Sequence, residues 1–272
     1  LSVDKVNLSF LANASYVKNE IKNLGNQTGY IDKESLPTLG TVSRNQNGYP
    51  IGYFFGYKAI GVFQTQEEID NYISPATGKP IQPNAVPGDT KFEDLNGDGV
   101  ISDDNEDRTM IGKPNPDWMV GLTVAADWNG FDLSAFFQGS FGADVFDALR
   151  RYELAAVNYT SDALERWTGP GTSNSMPRIV LGDTPKNFRP STLLVHDASF
   201  LRLRNLQVGY TLPAQLTRKA YIQRLRFYAS FDNLLTITGY KGMDPEIGST
   251  MGIDKGVYPQ ARVYTFGLNL TF

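Results

Sequence analysis

From Asp117 to Phe141 apolar and polar side chains alternate in two unbroken runs. Trp118, Val120, Leu122, Val124, Ala126 and Trp128 share one face of the first run, and Phe131, Leu133, Ala135, Phe137, Gly139 and Phe141 share one face of the second. Asp117, Thr123, Asp127, Asp132, Ser134, Gln138 and Ser140 are among those opposite. A strict period of two marks a strand whose two faces meet different surroundings. Between the runs stands Asn129-Gly130, the pair that most readily supplies two successive positive φ angles for a two-residue turn of the right twist. The segment predicts a β-hairpin. Each run spans about 10–12 residues, close to the ~9–11 that a tilted strand needs to cross a bilayer, and aromatics stand at the ends, where membrane barrels carry their girdles. A soluble sandwich shows a hairpin face of the same strength, so the hairpin alone leaves both architectures open.

The alternation recurs along the chain. Val6 to Lys18 places Val6, Leu8, Phe10, Ala12, Ala14 and Tyr16 on one face. Arg224 to Leu234 does the same with Leu225, Phe227, Ala229 and Phe231, and the final run with Tyr264, Phe266, Leu268, Leu270 and Phe272. Ser199 to Leu212 aligns Phe200, Leu206, Val208, Tyr210 and Leu212, but Arg202 and Arg204 share that parity. On this reading the two arginines sit at the headgroup level or beyond. Ile51 to Phe63 is aromatic and predicts a further strand, followed by a short amphipathic helix over Thr65–Ile73 with acids in its first turn. Residues 25–50 read as a polar, Gly-rich connection, and Pro75 to Thr90, with four prolines, as loop. Phe146 to Thr160 fits either a strand or a short helix, and 161–196 is mostly loop with a helical turn near Asp162–Trp167.

Short connections at Asn129-Gly130 and 213–221 alternate with long ones at 60–116, 143–198 and 235–260, the asymmetry of outer-membrane barrels. Residues 25–50 break it, because a strand at 51–63 puts them on the turn side; an unseen strand pair within them would resolve the conflict. The chain enters its first strand almost at once, from Leu1-Ser2-Val3-Asp4 without Met or leader-like sequence. An open strand edge in lipid leaves costly unpaired backbone groups, so missing N-terminal sequence is expected.

Composition adds exclusions. With no cysteine there are no disulfides or thiolate metal sites, and a net charge of −4 supplies no basic field for nucleic acid. Fourteen Tyr, 16 Phe, 26 Gly and 15 Pro favour strands joined by turns. No run approaches the ~18 consecutive apolar residues of a membrane helix, a test that barrel strands escape because only alternate residues meet lipid.

One stretch has the spacing of a metal loop. Asp94, Asn96 and Asp98 supply oxygens at positions one, three and five, Gly99 stands at six, the Val100 carbonyl at seven and Ile101 at eight, as at the start of a calcium loop. Position twelve, where a bidentate Glu belongs, is Asn105, leaving Asp103, Asp104, Glu106 or Asp107 to complete the shell. The alternative is an acidic turn without metal. No helix pair flanks it, so the expected role is a structural calcium staple.

Catalytic chemistry is sparse. His196, the single histidine, neighbours Asp197, but no nucleophile elbow accompanies it, and a loop-edge histidine making one hydrogen bond is the expectation. Asp244 and Glu246 resemble a glycosidase acid pair, yet one residue apart beside Pro245 they are expected to fix a turn. Trp167, Tyr159, Tyr240 and Asn158 are groups that sugars contact, although packing is the commoner role of each, so no substrate-binding residue is assigned.

Several motifs together resemble the C-terminal part of the SusC/RagA-type TonB-dependent transporters of the Bacteroidetes outer membrane. They are Pro50-Ile-Gly-Tyr-Phe-Phe-Gly-Tyr57 with Gly61-Val62-Phe63, the acidic loop Asp94–Ile101, Ile111-Gly-Lys-Pro-Asn-Pro116, Trp167-Thr168 with Pro177-Arg178, Ser199-Phe-Leu-Arg-Leu-Arg-Asn-Leu206 with Gly209-Tyr-Thr-Leu-Pro213, Asn233-Leu234-Leu235, Gly242-Met-Asp-Pro-Glu246 and the terminal Phe272. The resemblance implies an all-β fold, the C-terminal portion of an antiparallel transmembrane β-barrel of about 22 strands with long extracellular loops. It also implies an N-terminal plug outside this chain, a SusD-like surface lipoprotein as lid, energy supplied through TonB, and import of an oligosaccharide, or in some members a peptide, with no enzymatic step. Outer-membrane lipid and a dimer of the SusCD-like pair complete the expected partners. In the acidic loop the resemblance puts the closing ligand at Asp107, two positions late, so the expected calcium set is Asp94, Asn96, Asp98, Val100 and Asp107. The competing reading is a secreted, calcium-stabilised β-sandwich that binds carbohydrate, in which the same apolar rows would be buried against a second sheet.

Overall fold

The computed structural model describes residues 2–3, 6–103, 105–152, 154, 158–247 and 251–272. Its main element is a seven-stranded antiparallel sheet, in the order Ser2–Val3, Val6–Tyr16, Trp118–Trp128, Phe131–Phe141, Phe200–Thr211, Arg224–Thr238 and Val263–Thr271. Each strand pairs with the next one in this order, a meander with Ser2–Val3 and Val263–Thr271 at its edges. Register aligns the expected apolar rows across the sheet: Val6, Trp128, Phe131, Tyr210, Phe227 and Leu268 form one row near the short turns. Trp128 stacks on Phe131 at 6.3 Å and Phe131 lies 4.5 Å from Tyr210. At the opposite end Tyr16 meets Trp118 at 5.0 Å.

These rows are uncovered. Phe10 is 64% exposed, Trp128 52% and Phe266 76%, and among the described residues no second sheet packs on them. The sandwich expectation is thereby overturned, since burying such rows is what a sandwich core consists of. An uncovered apolar face of this extent belongs against hydrocarbon or a partner.

The buried core lies instead in the connections at one end of the sheet. Leu36, Val42 and Phe54 from residues 17–117 pack with Phe146, Ala148 and Leu194 from 142–199 and with Ile253 from 239–262. Short strands join two of the segments, Asp144–Asp147 pairing antiparallel with Val195–Asp197 and parallel with Ile253–Asp254, and a parallel bridge from Tyr57 to Ser191 ties in the third. The connections therefore form one roof with a shared core.

Two expectations are corrected here. Ile51–Phe63 is not one strand of the main sheet but two short strands, Tyr53–Gly56 and Ala59–Val62, in small sheets inside the roof. The apolar residues Tyr53, Phe54 and Phe55 are consecutive rather than alternate and all three are buried, the pattern of a strand covered on both sides. Residues 17–117 are thus a single connection at the roof end rather than one beginning at 60. The conflict over 25–50 disappears, and that stretch holds the strands Tyr30–Asp32, Ser35–Leu36, Gly40–Thr41 and Ser43–Gln46. The helix expected at 65–73 is present as Gln66–Asp70, with the Thr65 hydroxyl accepting the Glu68 N–H at 3.2 Å. The turn near 162–167 is a 3-10 helix over Ser161–Glu165. Of the stretch 146–160, the strand Asp144–Asp147 covers the start, while residues 153 and 155–157 lie outside the described residues.

The second correction concerns Arg202 and Arg204. Phe136 pairs with Asn205 but Phe137 with Leu203, so Arg204 is an extra residue, a β-bulge. Beyond it the strand's parity reverses. Leu203 and Leu201 join Phe137 and Gly139 on the apolar face, and Arg202 turns to the polar face beside Gln138, where it is 2% exposed. The arginines are not at headgroup level on the lipid side.

On the polar face Arg226 Nε donates to Asp132 Oδ1 at 2.9 Å across the intervening strand, directly over Gly209. A Cβ there would lie 2.5 Å from Arg226 Nη2 and 2.6 Å from the Asp132 carboxylate. Only glycine leaves room for this bridge. Gly209→Val is expected to destabilise the folded protein by about 1–3 kcal/mol through loss of the charged hydrogen bonds, measured by urea titration in lipid vesicles. By the same assay Leu122→Arg, at mid-height on the apolar face, should cost about 2–4 kcal/mol, while Thr123→Arg on the polar face should cost far less. Equal costs would show that the faces are assigned wrongly.

Candidate functional site

The polar face is covered near the roof by residues 239–247 and 251–262, held by a cluster of charges. Arg202 donates to Asp244 and, from Nη1, to Glu246 at 3.2 Å; Arg204 Nη2 reaches both Glu246 oxygens at 2.6 and 2.7 Å. Arg204 Nε also donates to Gln138 at 2.7 Å and its Nη1 to Asn233 at 3.2 Å, so the bulged residue ties both neighbouring strands to the roof. Asn233 adopts φ 51° at that point. Asp244 is 5% exposed. Burial works to raise its carboxyl, but the backbone N–H groups of Gln260 and Glu246, then Arg202, outweigh it and hold it below the usual range. Asp244 and Glu246 are thus counterions that anchor a loop, not a catalytic pair.

Beside this anchor the roof encloses a cleft of about 670 Å³, lined among others by Arg150, Asp162, Glu165, Asn174, His196 and Lys241. Arg150 Nε binds Asp147 at 2.9 Å and its other arm Asp162. His196, expected at a loop edge, lies in the short strand Val195–Asp197, with Nε2 buried, 3.7 Å from Asp147 and without a hydrogen-bond partner. Burial and the Arg150 charge push its pKa down, against a smaller pull from Asp147. Asp197 caps the Ser199 N–H at 2.8 Å. No hydroxyl hydrogen-bonds His196 Nε2, so the Ser/His/Asp arrangement does not form there.

The acidic loop is wound on its own backbone. Asp94 accepts the N–H groups of Gly97 at 2.8 Å and Gly99 at 2.9 Å, Asn96 that of Asp98 at 3.0 Å, and Asp98 that of Val100 at 2.8 Å. Asp107, fully buried, takes Leu95 at 3.0 Å and Ser102 at 2.9 Å and so closes the loop. Among the described residues no three carboxylates or imidazoles stand together as a ready metal cluster. The Asn96 amide nitrogen lies between Asp98 and Glu106, 2.9 Å from each. Asp94, Asn96, Asp98 and Asp107 supply the oxygen donors that a hard cation prefers. Asp104 lies outside the described residues.

Of the aromatic candidates, Trp167 packs over Gly88 and donates to Gln64 at 3.2 Å, and Tyr240 is buried with its hydroxyl on Asp254 at 2.6 Å. Tyr159 stands 5.6 Å from Tyr152 and Asn158 is exposed. Sequence reading missed a ladder of alternating rings and guanidiniums: Tyr30, Arg44, Phe55, Arg108, Tyr57, Arg189 and Phe92. Successive centres are 4.0, 3.6, 4.3, 5.7, 4.8 and 4.9 Å apart. Its arginines come from three distant segments, and no local pattern announces it.

A sheet with one uncovered apolar face and one polar face, tight turns at one end and a roof of long connections at the other, is wall from an outer-membrane β-barrel. No family model matches the chain. TonB-dependent receptor P3 of Formosa agariphila is 34% identical over 84% of this chain and 23% of its own length, and TonB-dependent receptor SusC of Bacteroides thetaiotaomicron is 30% identical over 96% and 24%. A solved structure of the RagAB peptide transporter aligns over 100% of this chain and 28% of that one, with TM-score 0.74 and 27% identity. The chain belongs to the SusC/RagA-type TonB-dependent outer-membrane transporters and spans about a quarter of the length of the curated relatives it matches. Those relatives are named as receptors and transporters, not as enzymes.

Arg202→Ala would leave Asp244 buried without its guanidinium, at a cost of up to about 3 kcal/mol; the expected signs are a lower melting temperature and faster protease cleavage within 239–262. Because the folded carboxyl of Asp244 lies below its unfolded value near ~3.9, its stabilisation is complete above that pH and is lost as pH falls through the folded value. Hydrogen exchange in 239–262 should therefore rise on strong acidification in wild type and change less in Asp244→Asn.

Proposed function

We propose that this chain is the C-terminal part of the barrel of a TonB-dependent importer, working with a SusD-like surface lipoprotein. Its polar face lines the passage and its roof forms the outer mouth. The observation that carries this reading is the pairing of an uncovered apolar face with a polar face over which residues 239–262 are clamped by Arg202 and Arg204. The cargo is an oligosaccharide, met at the mouth by hydrogen-bonding groups such as those of the Arg150–His196 cleft. A peptide is the second reading, favoured by the likeness to the RagAB peptide transporter. The remaining, N-terminal part of the receptor supplies the plug and the contact with TonB, and two receptor–lipoprotein pairs associate as a dimer.

Uptake of labelled oligosaccharides and peptides by cells carrying the full-length receptor tests this directly. Accumulation should require both the receptor and TonB; accumulation that persists without either sinks the reading, and the labelled class that accumulates identifies the cargo.

The acidic loop is part of the same proposal. Asp94, Asn96, Asp98, the Val100 carbonyl and Asp107 would hold one calcium ion, whose role is to stiffen the roof. Calcium should then raise the melting temperature of the purified receptor relative to chelator, and Asp94→Ala should abolish the increment. A melting temperature indifferent to calcium would leave the loop as an Asx-rich turn.

A further inference from the structure

A second cavity, of about 690 Å³, lies between the Thr77–Ala85 segment, the end of the acidic loop at Gly99–Ile101 and residues Thr184–Arg189. This volume is within the ~300–1,000 Å³ typical of small-molecule sites. Pro80, Ile81, Pro83 and Val100 make part of its wall apolar, and Lys79, Lys186 and Arg189 bring three cations to it. Among the described residues counter-charge is short. Asp89, the single acid on the wall among them, is 3% exposed and already engaged by Arg178 Nε at 2.7 Å, Asn187 Nδ2 at 3.1 Å and the Val86 N–H at 2.9 Å. Asp103 serves two of the cations, binding Lys186 and standing 3.8 Å from Arg189 Nη1. Lys79 has no ion-pair partner among the described residues. The carboxylates of Asp94 and Asp98 are turned onto the loop's own N–H groups, so Gly99, Val100 and Ile101 are what the loop presents to the cavity.

Arg189 is also preorganised. Its guanidinium lies 4.8 Å from the Tyr57 ring and 4.9 Å from the Phe92 ring, its Nε donates to the Lys186 carbonyl at 3.2 Å, and Nη1 has no hydrogen-bond partner. A planar guanidinium held in place on the cavity wall suits a carboxylate better than a flexible ammonium does. The geometry points to a binding site for a small carboxylate-bearing ligand, its anionic group at Arg189, Lys186 and Lys79 and its body against the prolines and Val100. This inference stands apart from the import reading, since it concerns binding at the roof and holds whatever the barrel carries.

Titration calorimetry on the purified full-length receptor, with glucuronate, glutamate and neutral glucose as probes, tests it. At least one acid should bind saturably and more weakly at high salt, and glucose should not bind. Binding of glucuronate alone identifies an acidic sugar as the source of the carboxylate, of glutamate alone an acidic peptide, and of both a site that reads the carboxylate itself. The double substitution Lys79→Gln with Lys186→Gln, both at exposed side chains, should weaken acid binding about tenfold or more without moving the melting temperature. Arg189→Lys, which keeps the charge and loses the planar guanidinium, should weaken it as well. Acids that fail to bind, glucose that binds equally, or a double variant that binds acid like wild type would each overturn the assignment.

Discussion

In hydrocarbon a backbone N–H or C=O without a partner costs several kcal/mol, and no water is present to supply one. Everything in this sheet follows from that constraint. Each inner strand, from Trp118–Trp128 through to Arg224–Thr238, pairs along its length with both neighbours. The backbone being committed, only the side chains can respond to the two environments, and they do so by strict alternation. The chain therefore has no core beneath its largest sheet; its apolar side chains face outward, and its buried ones are gathered in the connections.

That division gives the roof an unusual burden. Three long connections must fold against one another without a large sheet to template them, and they manage it with short cross-linked strands, the Leu36–Phe54–Phe146–Ile253 core and buried charge. The guanidinium and ring ladder from Tyr30 to Phe92 belongs to the same solution. Arginine stacked on aromatic faces keeps its charge while its flat surfaces are covered, which suits a region too polar for a plain hydrophobic core. Roof and wall are then joined through Arg202 and Arg204, where a bulge in one strand redirects an arginine to the polar face and onto the acids of 239–262.

The bulge explains why alternation misleads within the strand Phe200–Thr211. Parity counting assumes that every residue advances the strand by the same step. One inserted residue at Arg204 reverses the facing of Arg202 and everything before it, and nothing local in Leu201-Arg-Leu-Arg-Asn205 distinguishes an insertion from a run of lipid-edge arginines. The misreading of 51–63 has another cause: Tyr53-Phe54-Phe55 is apolar enough for a membrane strand, and only its lack of alternation hints that it is buried on both sides. Composition was legible there, surroundings were not.

Sequence by itself determined six of the seven strands of the meander, the Asn129-Gly130 turn, the facing of nearly every wall residue and the family, because those depend on period two and on short-range turn geometry. The tight winding of the acidic loop from Asp94 to Val100 was also written locally, in the spacing of its Asx and Gly residues. Tertiary structure alone decided how the three connections share a core, that Asp244 and Glu246 serve as counterions, that Gly209 makes room for the Arg226 to Asp132 bridge, and which cations border the cavity at Arg189. Each of these joins residues tens to hundreds of positions apart, and the partner of a buried charge is set by which segments meet in space, a quantity that no window along the chain contains.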